Sequence, residues 1–444
     1  MLITNKEELK KYSDEYRLWQ GVPKIEIFPN GIIFVAFTSG GIRDGLGNYV
    51  SLYRSDNHGL SFILIAVIKD EDGFAHDAVL WKDNKNRLCF MYAKASAFMV
   101  YSVTISNPTD DINKLIFSEE KEIAVGVAFH KPLTLKDGTT LLATWVDDNR
   151  LYLGFRPRQH KNYQGTLVSI YKPREHKFEL IGKADISHRH FDSPALFQHS
   201  NSVLSMYVRT HYGIGKSDSY DNGKTWTKGI DSNIVGPDST FYIGKDKNGH
   251  TLLINYDNKI SRKNLYAYLS FDEGITFPHK ILLDSRDHIS CPDVSYDEDG
   301  NIYIVYDRER GSFCKNIQHA LSKAREILLA KIRIEDIIAG KIINKNSYLR
   351  KIIFKLHDYK GNDFEIYGQQ KEINEYLIEL AAFNDNNIIL ERIFADFSGG
   401  CSTQNKDEIV ELNSLIAKFE NYEYKDNVEK IFLMNRILNV VSQF

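Results

Sequence analysis

His188, His190 and Asp192 alternate in the stretch S-H-R-H-F-D. On an extended strand they would face one side, offering two imidazoles and a carboxylate to a ligand or a proton. The H-x-H-x-D spacing is a weak metal signal, and its ordinary readings are a hydrogen-bonding cluster in a pocket or a solvated strand end, so neither a metal nor another cofactor is expected. Cys89, Cys291, Cys314 and Cys401 lie far apart without C-x-x-C spacing, which suits reduced thiols better than a zinc site or a disulfide framework. Asn57, Asp221 and Asp272 invite a reading as calcium ligands, but each stands in a short turn where hairpin stabilisation accounts for it fully. The run D-R-E-R-G at 307–311 could line a pocket, although a charged loop after a strand is ordinarily solvated.

The elements that position these groups follow from a repeat. Residues 219–226 read S-Y-D-N-G-K-T-W, 270–277 read S-F-D-E-G-I-T-F, and 55–62 read S-D-N-H-G-L-S-F, a common S-x-[DN]-x-G-x-[ST]-[WF] box. It describes a tight hairpin in which Asp or Asn accepts backbone N–H bonds, Gly takes a positive φ and an aromatic packs underneath. The last two boxes start 51 residues apart, and degenerate hairpins near Ser106 and Ser169 divide the earlier interval into similar spans, the size of a propeller blade. Six strand openings support the count: Val22-Pro23, Asp77-Ala78, Lys131-Pro132, Ser193-Pro194, Pro237-Asp238 and Cys291-Pro292. Besides Ser193-Pro194, which follows the His188–Asp192 stretch, each places a polar group at the axis: Gln20, Asp77 with His76, Lys131 with His130, Asp238 and Asp293.

The expected fold is therefore mainly β, a six-bladed β-propeller over residues 1–345 whose N-terminal segment completes the last blade. Beyond Ile342 the boxes stop and helical periodicity appears, as at Ile409, Leu412, Leu415, Ile416 and Phe419, with Asn405 and Glu408 as a capping pair. Residues 346–444 are read as a small, mainly helical appendage suited to docking or homo-oligomerisation. The 25 Tyr and 25 Phe favour β-structure or a carbohydrate-binding surface. A formal charge of −3 calls for neither nucleic acid nor an anionic membrane as partner. The first residues lack the apolar run of a secretory signal, and a cytoplasmic location is expected.

The boxes are similar to the Asp-boxes of the sialidase (neuraminidase) superfamily, whose fold is a six-bladed β-propeller. Within it, Y-R-L-W-Q-G-V-P-K-I at 16–25 resembles the bacterial branch of BNR-repeat proteins that carries R-x-W-Q-G-x-P where typical sialidases carry R-I-P. V-R-T-H-Y-G-I-G (208–215), S-R-K-N-L-Y-A-Y-L-S (261–270) and E-I-L-L-A-K-I-R-I-E-D-I-I-A-G (326–340) extend the likeness. Sialidases bind the sugar carboxylate with three arginines, use a Tyr/Glu nucleophile and supply Asp as acid/base, outside the usual two-carboxylate scheme. The resemblance implies that Arg17 is the first arginine and Arg262 the last; Arg209 lies in the right blade for the middle one, although Gly213-Ile214-Gly215-Lys216 precedes the box where the family has an arginine.

Cys291 stands where the family's Tyr is expected, Asp192 maps to its partner carboxylate, and Asp44, beside Arg43, offers the acid/base. Asp44 or Asp192 would then act as the acid, and Cys291 or a water held by His190 or Asp293 as the nucleophile. The implied function is a glycoside hydrolase removing a terminal acidic sugar, with substrate contacts from Arg17, Gln20, His190, Arg209 and Arg262. A non-catalytic glycan-binding propeller and a sugar-acid lyase are the alternatives, and in each case the partner is a carbohydrate bearing an acidic sugar.

Overall fold

The computed structural model describes residues 1–14, 16–17, 19–40, 47–71, 73–146, 163–286, 288–308 and 326–356. Asp44, Cys314, Cys401 and the expected helical stretches with Asn405 and Glu408 lie outside them.

Six antiparallel sheets follow one another along the chain as propeller blades. Blade 1 comprises Leu2–Ile3, Trp19–Phe28, Ile32–Gly40, Tyr49–Ser55 and Ile63–Ile68; blade 2, Ala75–Lys82, Leu88–Lys94, Met99–Ile105 and Lys121–Val125. Blade 3 comprises Val127–Ala128, Leu133–Thr134, Thr140–Val146, Gly165–Lys172 and Lys177–Ala184; blade 4, Ala195–Gln198, Leu204–Thr210, Gly213–Ser219 and Ile230–Asp231. Blade 5 is built from Tyr242–Lys245, Thr251–Tyr256, Leu265–Ser270 and His279–Asp284, and blade 6 from Ile289–Tyr296, Ile302–Arg308, Glu326–Ile332 and Tyr348–Lys355. Because each blade is covered on both faces by its neighbours, central strands are apolar in near-continuous runs such as I-I-F-V-A-F at 32–37, every residue of which is buried. Phe34, Leu52, Leu80 and Phe90 share one cluster between blades 1 and 2, and Ile25, Phe37, Val305 and Leu329 another between blades 1 and 6.

Ring closure differs from the expectation. The N-terminal strand joins the outer edge of blade 1, pairing Leu2 with Ile68 and Ile3 with Val67, and contributes nothing to blade 6. Blade 6 takes its outer strand from Tyr348–Lys355 instead, past the expected boundary at 345. The reason is local: the edge of Glu326–Ile332 needs an antiparallel neighbour, and the chain returns to it after one short helix, Ile334–Ala339. That helix stands where other blades carry a box, and buried Asp336 organises its return by accepting the Arg333, Ile343 and Asn344 N–H groups at 2.8–3.0 Å and the Ser347 hydroxyl at 2.5 Å. No helix among the described residues is long and apolar enough to cross a membrane.

The three boxes are hairpins, joining Tyr49–Ser55 to Ile63–Ile68 in blade 1 and the third strand to the fourth in blades 4 and 5. In blade 4, Asp221 Oδ1 accepts the Thr225 N–H at 2.9 Å, Oδ2 accepts the Thr225 hydroxyl at 2.6 Å, Gly223 sits at φ +88°, and the Trp226 indole donates to the Gly223 carbonyl. Asp272 repeats these bonds with Thr276. The Thr hydroxyl and N–H draw both carboxyls down to about 2. A folded value below the unfolded one means that this contribution is fully present above about pH 4 and is lost as the pH falls toward 2. The double variant Asp221→Asn, Asp272→Asn is expected to lose less thermal stability than the wild type between pH 5 and pH 3, as followed by circular dichroism melts; equal losses would remove the boxes from the acid response.

Candidate functional site

The sequence-expected residues among those described stand in or beside the inner strands and near the ends of the second strands of their blades, but the backbone is not simply extended there. Val22, Asp77, Ser193 and Cys291 adopt left-handed φ values of 57°, 46°, 42° and 53°. In blades 1, 2 and 6 the pairing register jumps at the same place, between Gly21 and Lys24, His76 and Val79, and Ser290 and Asp293. What looked like strand openings are thus bulges within the inner strands of these blades, a conformation costly for β-branched Val22 and held only because its surroundings fix it. The Val22 N–H donates to Asp307 Oδ2 at 2.7 Å, Asp307 Oδ1 accepts the Ser290 hydroxyl, and the Cys291 N–H donates to Thr240 Oγ1 at 3.0 Å. These bonds stitch blade 1 to blade 6 and blade 6 to the approach to blade 5. Asp307, the first residue of D-R-E-R-G, is accordingly buried rather than solvated.

The alternation of His188, His190 and Asp192 does not survive folding. His188 and Phe191 are also left-handed, which breaks the pleat, and the three side chains separate: His188 is exposed while His190 and Asp192 are buried. Asp192 turns to blade 3, accepting the Thr166 hydroxyl at 2.7 Å and pairing with Arg189 at 2.6 Å. His190 turns the other way, its Nδ1 lying 2.7 Å from Asp238 Oδ2.

Asp238 is the hub of the rim. Its Oδ1 accepts Arg209 Nε at 2.6 Å, its Oδ2 meets the Nδ1 atoms of His190 and His211 at 2.7 and 3.0 Å, and its backbone carbonyl accepts Arg262 Nη2 at 3.5 Å. Burial pushes the Asp238 carboxyl up, but the Arg209 guanidinium and the two imidazoles outweigh it and leave the group well below the usual carboxylate range. Burial draws His190 down to about 4, so its ring is neutral at ordinary pH. Arg209 and Arg262, expected as two carboxylate clamps, are thus brought together, both buried and both on one residue.

Arg17 is also buried, and its guanidinium spans Gln20 Oε1 at 3.0 Å, the Tyr53 hydroxyl at 2.5 Å and Asp14 at 2.6 Å while lying over the Phe37 and Tyr53 rings. Gln20 therefore positions Arg17. Cys291 packs with Val22 and Phe129 and is 1% exposed. Asp293 Oδ2 accepts the Ile25 N–H at 2.9 Å and joins the axial network of Lys24, Glu26, Lys131 and Ser295. Within it the Lys131 ammonium bonds the Ile25 and Val294 carbonyls and Glu26, tying the inner strands of blades 1 and 6 together. Tyr256, close to Arg262, donates its hydroxyl to the Ile289 carbonyl at 2.7 Å, and burial pushes its ionisation up, so this phenol stays protonated.

Two rim members carried no clear sequence signal. His211 reaches Asp238 from the turn after Arg209, and Asp14 reaches Arg17 from the turn before it. A polar residue next to an expected clamp was the only hint.

A model of the BNR repeat-like domain matches residues 100–304. Among solved structures, a Hadza microbial sialidase, Hz136, superposes with a TM-score of 0.56 at 14% identity, covering 73% of this chain and 68% of that one. The leech intramolecular trans-sialidase complexed with 2,7-anhydro-Neu5Ac gives 0.51 at 11% identity over 74% of this chain and 70% of its own. A Dyadobacter fermentans protein of unknown function gives 0.50 at 12% identity, over 66% of this chain and 91% of its own. No curated protein matches the sequence. At these identities the likeness to the solved structures is one of fold.

Proposed function

We propose that this chain, a six-bladed propeller of the sialidase-like BNR-repeat superfamily, binds a glycan ending in an acidic sugar at the rim of Arg17, Arg209 and Arg262 and hydrolyses its terminal linkage. One observation carries the reading: Arg209 and Arg262 come from different blades, yet both contact Asp238. Paired guanidiniums beside a polar rim suit a carboxylate, which they grip through parallel N–H bonds. In hydrolysis a water oxygen bonds to the anomeric carbon while the glycosidic oxygen leaves with a proton. The His190–Asp238 pair is the candidate among the described residues to hold that water and take its proton, giving inversion, while Asp44 stays the candidate acid that protonates the leaving oxygen.

A second reading, glycan binding without turnover, is favoured by the commitments of the other candidates. Asp192 is held by Thr166 and Arg189, Asp293 gives Oδ2 to the Ile25 N–H of blade 1, and Cys291 is packed among apolar side chains. The test is calorimetric titration with a dehydrated, flattened sialic-acid analogue, followed by a fluorogenic sialoside with the anomeric product read by NMR. Binding with an inverted product supports hydrolysis as written, and binding without product supports the second reading. A product absorbing in the ultraviolet from a uronate-bearing oligosaccharide would move the chemistry to elimination, and no binding to either acidic sugar would overturn the assignment of the rim.

A further inference from the structure

We propose that His190, His211 and Asp238 form a binding site for a transition-metal dication of the zinc class at this rim. The three ligand atoms lie within 4.8 Å of one another and come from three separate loops: before the inner strand of blade 4, at the turn between its second and third strands, and before the inner strand of blade 5. Two imidazoles and a carboxylate are a donor set that zinc and its neighbours favour, in sites that keep a further position for water or substrate.

The geometry meets the demands such a site makes. Zinc bonds of about 2.0–2.1 Å at tetrahedral angles place ligand atoms roughly 3.3 Å apart. Here Asp238 Oδ2 is 2.7 Å from one Nδ1 and 3.0 Å from the other, so an ion needs these two pairs to open by a few tenths of an ångström. The outer shell is present: Arg209 Nε holds the other carboxylate oxygen, Oδ1, at 2.6 Å, which orients Asp238 and leaves Oδ2 for the ion. The His190 and His211 rings are stacked at 4.3 Å with 27° between their planes, and both turn Nδ1 to the same carboxylate oxygen. Access is present too, because the His211 side chain is 47% exposed while His190 is buried.

The second His190 nitrogen, Nε2, is buried with no hydrogen-bond partner among the described residues. With Nδ1 on the metal, Nε2 would carry the ring proton and become a donor at the glycan site. The guanidinium of Arg209 opposes a second cation nearby, so the site calls for an ion whose bonds to nitrogen outweigh that repulsion, which selects zinc-class metals over calcium or magnesium. The inference does not depend on hydrolysis: a metal can bind here whether or not a glycan is turned over.

The experiment uses the full chain without a histidine tag, freed of metal by dialysis against a chelator and titrated with zinc chloride by calorimetry. Expected is a single site with a dissociation constant of about 1 µM or tighter, with cobalt(II) at the same site giving the visible absorption of a four-coordinate ion. His211→Ala, whose side chain is half exposed, should keep the fold by circular dichroism and bind at least about tenfold more weakly. Stoichiometric binding lost in this variant supports the site. No binding at about 100 µM zinc, or equal binding by the wild type and a folded His211→Ala, overturns it. Loss of the metal site with glycan binding intact would separate this inference from the function proposed above.

Discussion

Ending the chain after residue 345 is expected to unfold the propeller or lower its melting temperature drastically, whereas ending it after Leu356 preserves the cooperative melt of the propeller. The shorter chain loses the strand Tyr348–Lys355, and with it a clasp between the first and last blades. Phe354 is 5% exposed and packs its ring 4.8 Å from Phe37, 4.5 Å from Tyr53 and 5.1 Å from Phe62, all in blade 1 or its box. Lys351 adds a bond from its ammonium to the Gly59 carbonyl at 2.8 Å, inside the blade 1 box. Burial of one such Phe stabilises by about 3–5 kcal/mol, judged from Phe→Ala changes. Against a total of about 5–15 kcal/mol for a domain, removing the whole strand leaves little. Phe354→Ala in the full chain should reproduce a large part of the loss in chemical denaturation. If the chain ending after residue 345 melts like the wild type, the ring is closed without this strand and the clasp is wrong.

Arg262→Ala is expected to weaken binding of the acidic sugar roughly 30- to 150-fold, because a charge-assisted contact of about 2–3 kcal/mol is removed. Arg262→Lys should recover only part of it, since an ammonium keeps the charge but lacks the planar fork. Arg262 is a better probe than Arg17. The Arg17 guanidinium holds Gln20, Tyr53 and Asp14 and underlies two aromatic rings, so its removal disrupts buried partners and confounds binding with stability. The measurement is calorimetric titration of wild type and both variants with the flattened analogue, with thermal melts showing that each is folded. Unchanged affinity in folded Arg262→Ala would take the arginine out of the anion site and, with it, the reading of the rim as a carboxylate clamp.

Much of the architecture was legible because it is written in local chemistry. The S-x-[DN]-x-G-x-[ST]-[WF] boxes form the same hairpin three times because each closes its own bonds within eight residues, as Asp221 does with Thr225 and Asp272 with Thr276. Local closure made their spacing a count of blades. Of the polar groups read at the strand openings, Lys131 and Asp293 do meet the inner strand of blade 1: the Lys131 ammonium reaches Glu26 and the Ile25 carbonyl, and Asp293 accepts the Ile25 N–H.

The site was legible as residues but not as an arrangement. Alternation in S-H-R-H-F-D presumes an extended backbone, and the left-handed turns at His188, Phe191 and Ser193 sent His190 to blade 5 and Asp192 to blade 3. Nothing near Asp238 in the chain announces that Arg209, His190, His211 and Arg262 converge on it, since only blade packing brings them together. Likewise, the edge of Glu326–Ile332 was completed by whichever strand could also fill the gap against blade 1, and Phe354 does so from beyond the last recognisable repeat. By itself the sequence determined the repeat and the blade count, both set by interactions between near neighbours. The tertiary structure alone decided how the ring closes and which side chains meet at its rim, because those contacts join residues that chain order keeps apart and only a shared core aligns.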